Sequence, residues 1–189
     1  MKIVLLTICA ALFALGCGPQ GLPVSDISSY KLDYYDYAKN RLPIEEKIID
    51  GQCLIWLQPA TNDMFADHEN EQDSINAKTR FIGTLRECGQ KFLAFAEHID
   101  EISTSAFASG RRLQRKINSD EPYTNEDTQD IWRAEQARPL LAKMGALQRA
   151  KYTITENLAL CLHDAPTESA ETRCLEDAGH TLEDTLPKE

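Results

Sequence analysis

The side chains able to bond, ligate or attack are few in this 189-residue chain: six cysteines, four histidines and a scatter of hydroxyls. None is set in a pattern that a reaction needs. The G-x-S-x-G nucleophile turn, the H-E-x-x-H zinc helix and the phosphate-cradling P-loop are all missing. Ser28 and Lys31 have the spacing of a serine nucleophile and its lysine base, but the SDN and KTG segments that complete such a site are absent. Asp177 and His180, one helical turn apart, bring a carboxylate beside an imidazole. A helical metal centre needs several inward carboxylates and E-x-x-H pairs, and the chain has no E-x-x-H and no C-x-x-C. Asp63, Asp67, Glu69, Glu71 and Asp73 lack the glycine and terminal glutamate spacing of a calcium loop, and read as a solvated acidic loop. The expectation is a chain without cofactor, metal or catalytic residue.

Two groupings suit binding instead. Arg111, Arg112, Arg115 and Lys116 put four cations into six residues just before a turn, and Glu126 and Asp127 follow it. That order complements two helix dipoles, yet four cations exceed what capping needs. The cluster is therefore a candidate anion or partner patch. Tyr30, Tyr34 and Tyr37 share one helical face and are expected to dock the first helix, whereas Tyr35 lies off that face and is available to a partner. Trp56 and Trp132 are expected as core or half-core anchors.

Helices must carry these residues. Prolines at 43, 59, 122, 139, 166 and 187 punctuate the chain, and the intervals read as helices. The first spans 25–42. A second starts at Pro43 and reaches toward 57, although 53–57 also suits a short buried strand. A polar loop covers 59–72. Over 73–118, Ala77, Phe81, Leu85, Cys88, Phe92, Phe95, Ile99, Ile102 and Ala106 recur by threes and fours, the stripe of a long amphipathic helix with an interruption near 103–105. A turn follows at 120–123, and Thr124 with Asp127 forms a capping box. The next long helix uses Leu140, Met144, Leu147, Ile154, Leu158 and Cys161 as its seam and is kinked or split at Pro139. A last helix covers 169–182. No stretch alternates with period two, so the expected fold is all-α: a long antiparallel helical hairpin with shorter packed helices, stapled by two disulfides.

The N-terminus sets the address. Lys2 precedes a mainly apolar run, 3–15, too short to span a bilayer but suited to a secretory signal. It ends in Ala14-Leu15-Gly16-Cys17, which resembles the lipobox of bacterial lipoproteins, with Ala14 where leucine is usual. The resemblance implies cleavage before Cys17, lipidation of Cys17 with palmitate-type chains and, because Gly18 rather than aspartate follows, the outer membrane. An ordinary cleaved signal peptide is the alternative. The chain then divides into a signal (1–16), a lipidated cysteine with a short tether (17–24) and one helical domain (25–189). Loss of the signal leaves 173 residues at −11, since it carries Lys2 and no acid. Cys53, Cys88, Cys161 and Cys174 remain for two disulfides in any of three pairings. The spacing of Cys161 and Cys174 around Pro166 favours that pair, leaving Cys53 with Cys88; Cys88 with Cys161 is the rival.

Composition excludes other classes. With 20 Lys+Arg against 30 Asp+Glu the chain lacks the basic footprint of a nucleic-acid binder. A 42% hydrophobic content is too high for a disordered acidic tail, and 9 Gly with 8 Pro is no collagen. What is left is a non-enzymatic envelope lipoprotein, anchored in the membrane with its domain in the periplasm or at the cell surface. It would work by protein contact, as an inhibitor, immunity protein or assembly factor, and its acidity suits a cationic partner. A helical protein binding a small ligand or metal is the alternative, with a hydrolase behind it. Residues 147–186, with Cys161 and Cys174-Leu175, faintly resemble the helical lysozyme-inhibitor-type lipoproteins, but the Trp and Arg of that motif are missing before Cys161.

Overall fold

The computed structural model describes residues 33–122 and 124–185. Cys17, the tether and Tyr30 lie outside the described residues. Among those described, every regular element is a helix. A short α1 (Tyr34–Asp36) passes through a π-helical segment (Tyr37–Arg41) into α2 (Leu42–Met64), followed by α3 (Glu71–Asn118), α4 (Asn125–Asp164) and α5 (Glu168–Thr185). The fold is all-α, with α3 and α4 as the arms of a long antiparallel hairpin.

Local chemistry accounts for the helix ends. Asp33 accepts hydrogen bonds from the Tyr35 and Asp36 amides at 3.1 and 3.0 Å and starts α1. The capping box opens α4: the Asp127 amide donates to Thr124 Oγ1 at 3.2 Å, and the Thr124 amide donates back to Asp127 Oδ2 at 2.9 Å. Asp120 turns the hairpin in the left-handed region, φ 54°, where aspartate is among the better-tolerated residues. The stripe from Ala77 to Ala106 is buried throughout.

Several expectations are corrected. Residues 53–57 are helical, and α2 runs through Pro59 to Met64, so the loop is confined to 65–70. An internal proline costs about 3 kcal/mol of helix stability. Here the buried side chains on both sides of it, Leu57, Thr61 and Met64, hold the next turn in place. Helix α3 passes 103–105 uninterrupted, and α4 carries Pro139 inside one continuous helix. The α4 seam keeps Ile154 and Leu158 of the expected set but is otherwise displaced. Leu141, Gln148, Lys151, Thr155, Ala159 and Leu162 are buried, while Leu140 is exposed. Three of those six are polar, which hides the seam from a reading based on hydrophobicity.

The described residues form two compact units. The first comprises 47–94 and 147–185. Its core joins Cys53, Leu57 and Met64 of α2 to Phe81, Leu85, Cys88 and Phe92 of α3, Leu158 and Leu162 of α4, and Leu175 of α5. Each large apolar side chain so buried contributes about 1.5–3 kcal/mol. Helices α3 and α4 approach closely at Gly89, where a Cβ would stand 2.7 Å from Thr155 Oγ1. Lys151 donates to both oxygens of Asp50, at 2.8 and 2.9 Å, with its Nζ 5.5 Å from the centre of the Phe92 ring. Lys78 closes the α4–α5 corner by donating to the Ala165 carbonyl at 2.8 Å and pairing with Glu171.

The second unit comprises 33–46 and 95–146. Its buried side chains are smaller: Ala96, Ile99, Ile102 and Ala106 of α3 meet Ala134, Ala137 and Leu141 of α4, with Tyr37, Ala38 and Leu42. Tyr37 donates to Glu45 Oε2 at 2.7 Å and meets His98 edge-on at 6.5 Å between ring centres. Burial, helped by the Glu45 carboxylate, pushes the Tyr37 hydroxyl far above the usual tyrosine range.

Candidate functional site

In the first unit an open groove of about 610 Å³ runs between α2 and α3. Trp56, Pro59, Ala60 and Asp63 form one wall, and Arg80, Gly83, Thr84 and Glu87 the other. Trp56, expected as a core or half-core anchor, is 38% exposed. It lies beside Cys53 and Leu57, which face inward on the same helix, so the indole is turned to the rim. Lys91 Nζ sits 4.9 Å from its ring centre, in cation–π range. A Cβ built at Gly83 meets nothing within 4 Å, so the α3 wall is open at that point. Arg80 pairs with Asp63 along the groove, and Glu87 adds a second carboxylate. Helical periodicity placed these residues off the core stripe, but nothing local showed that they line one groove.

The second unit carries the cations. Arg111, Arg112, Arg115 and Lys116 are all exposed on the last turns of α3, and none of them forms an ion pair among the described residues. Tyr35 is half-buried, 5.9 Å from Trp132 between ring centres, with Lys39 Nζ 5.4 Å over its ring. Trp132 is the exposed member at 55%, contrary to its expected role as an anchor. Tyr35 and the four cations occupy different elements, and among the described residues no ion pair or cation–π contact joins them. Phe107 and Arg138, which the sequence reading did not single out, stand with Arg111: both guanidinium carbons lie within 5.5 Å of the Phe107 ring centre.

The cysteines fall into two pairs, both in the first unit. Cys161 and Cys174 form a disulfide across the α4–α5 corner, with Cα atoms 5.7 Å apart. Cys53 and Cys88 are buried neighbours on α2 and α3, present as free thiols. The bond expected between them is not made in the structure, although the pairing of neighbours is. The contact with Cys88 and the dry surroundings push the Cys53 thiol well above its ordinary range. Asp177 and His180 are both exposed on α5. Among the described residues no three His, Cys, Asp or Glu side chains converge as a metal site, and no helix is long and apolar enough to cross a membrane. Comparison with known proteins finds no matching family model, curated protein or solved structure.

Proposed function

We propose that this chain is a cell-envelope lipoprotein that acts by protein–protein contact rather than by catalysis, as an inhibitor, immunity protein or assembly factor. The observation that carries the reading is the Trp56 groove. It offers an exposed indole, an open position at Gly83 and the carboxylates of Glu87 and of Asp63, the latter shared with Arg80. Exposed tryptophans in such settings are favoured anchors of interfaces. The unit around it is strongly acidic, with eight Lys+Arg against fifteen Asp+Glu over 47–94 and 147–185. That charge suits a basic segment of an envelope protein, drawn in by complementary potential. The lipobox-like Ala14-Leu15-Gly16-Cys17 supplies the anchor and the envelope address.

Crosslinked capture from envelope extract tests the reading, using the full chain expressed in a bacterium and labelled with palmitate. Gly83→Leu is the decisive variant. Its Cβ meets no neighbour, its side chain projects into the open groove, and helix propensity rises by roughly 1 kcal/mol, so retained helicity by circular dichroism is expected. A partner retained by wild type and lost at least ~10-fold by Gly83→Leu is expected. The palmitate label should disappear in Cys17→Ser. Equal capture by both chains would remove the groove from the function, and label persisting in Cys17→Ser would remove the anchor.

A further inference from the structure

Phe107 is 47% exposed on α3. Arg111, one turn further along, places its guanidinium carbon 4.2 Å from the ring centre, and Arg138 of α4 places its own at 5.5 Å. The two cations are thus at most ~10 Å apart on one exposed ring. Like charges held that close favour an anion between or above them. Neither arginine forms an ion pair among the described residues. Residues 103–118 hold four cations and no acid, and Glu135 is the only acid of α4 within one turn of Arg138.

Connectivity says which anion surface is near. The chain enters the described fold in this same unit, at Asp33, whose Oδ2 lies 3.5 Å from Arg133 Nε on α4. Fifteen residues, 18–32, separate Asp33 from Cys17. Fully extended they span at most ~50 Å. An anchor at Cys17 therefore keeps the second unit within a short tether of the headgroup layer, at an effective concentration that no freely diffusing acidic protein matches.

We infer that Phe107, Arg111 and Arg138 form a membrane-surface site that docks the second unit on anionic lipid headgroups. Phe107 enters the interface and the two guanidinium groups take lipid phosphates. The whole chain is acidic, but screening weakens charges beyond roughly 10 Å, and the groups standing on the ring itself are the two cations Arg111 and Arg138. The inference rests on the lipoprotein reading for the identity of the membrane, and the experiment below removes the lipid so that the two fail separately.

The mature chain from residue 17, carrying Cys17→Ser, is sedimented with vesicles of phosphatidylglycerol and phosphatidylcholine, and with phosphatidylcholine alone. Binding to the anionic vesicles only is expected. The double variant Arg111→Ala/Arg138→Ala should weaken it roughly 30-fold at the usual contribution of a surface cation. Phe107→Ser should weaken it further, Trp56→Ala should leave it unchanged, and circular dichroism should show equal helicity in all four. Equal binding to neutral vesicles, absence of binding to both, or an unaffected double variant overturns the proposal. Tighter binding to polyglutamate than to vesicles would assign the site to an acidic protein. Release by millimolar inorganic phosphate would make it a free-anion site, and either result also overturns the proposal. Failure of palmitate labelling with vesicle binding intact would remove the anchor and leave the surface site standing.

Discussion

The two units solve the same helical packing problem with different materials. The first closes on large side chains, a disulfide and a buried ion pair: the Lys151 side chain is 5% exposed and Asp50 17%. The second closes on alanines and isoleucines, and its ion pair between Arg133 and Asp33 is well solvated. Their surfaces differ in the opposite sense. The first holds fifteen acids against eight cations, whereas the second has thirteen against nine and sets two of its cations, Arg111 and Arg138, over exposed Phe107. The lesson is that polar groups are structural in one unit and available in the other.

The sharpest test of that contrast is a pair of truncations. Lys151→Ala leaves the Asp50 carboxylate in a nearly dry site and should cost about 3–5 kcal/mol in urea unfolding, while the double variant Asp50→Leu/Lys151→Met, which removes both charges, should come close to wild type. Arg133→Ala should cost under about 1 kcal/mol, because its pair is exposed. Comparable losses from both alanine variants would erase the distinction.

A smaller effect is expected at two glycines. Gly89→Ala pushes a methyl into Thr155 Oγ1, which hydrogen-bonds the Lys151 and Tyr152 carbonyls, so either Thr155 turns and gives up those bonds or α3 and α4 separate there. A loss of about 1–3 kcal/mol is expected. Gly110→Ala meets nothing within 4 Å and should stabilise the second unit by roughly 0.5–1 kcal/mol. Thermal melts of the two variants should move in opposite directions.

Alkali gives the finest separation. Cys53 and Tyr37 are neutral when protonated, and both keep their protons in the folded chain above their ordinary values of 9.0 and 10.0. The folded state then binds more protons than the unfolded one, so stability is complete below those values and falls as pH rises past them. The first unit should begin to weaken near pH 9 and the second near pH 10, at the two ordinary values. Trp132→Phe leaves Trp56 as the fluorescence reporter of the first, and Trp56→Phe leaves Trp132 for the second. Oxidation that joined Cys53 to Cys88 would abolish the lower onset, because a disulfide does not titrate. Onsets that coincide in the reduced chain would count against assigning one group to each unit.

Much of the scaffold was legible along the chain because its signals are local. The α3 stripe repeats at helical period, Thr124 and Asp127 lie three residues apart, and Cys161 and Cys174 flank a short corner at Pro166. The α4 seam is legible at Ile154 and Leu158 but not at Leu141, because the other buried positions include the polar Gln148, Lys151 and Thr155. Lys151 is buried because Asp50, 101 residues away, receives it, and no window of sequence contains both. Pro59 misled in the same way, since helix propensity knows nothing of Leu57 and Met64 packing on the first unit's core.

By itself, then, the sequence determined the helical class, the hairpin and its capped turn, the Cys161–Cys174 corner and the separation of the basic stretch 111–116 from its acidic surroundings. Periodicity, capping and short ring closure act over a few residues, and so can be read there. Only the tertiary structure decided that Trp56 and Gly83 share a groove, that Cys53 touches Cys88, and that Arg138 joins Arg111 on the Phe107 ring. Each of those depends on which faces of distant helices meet. That choice is made by packing two whole surfaces together, and no single segment carries it.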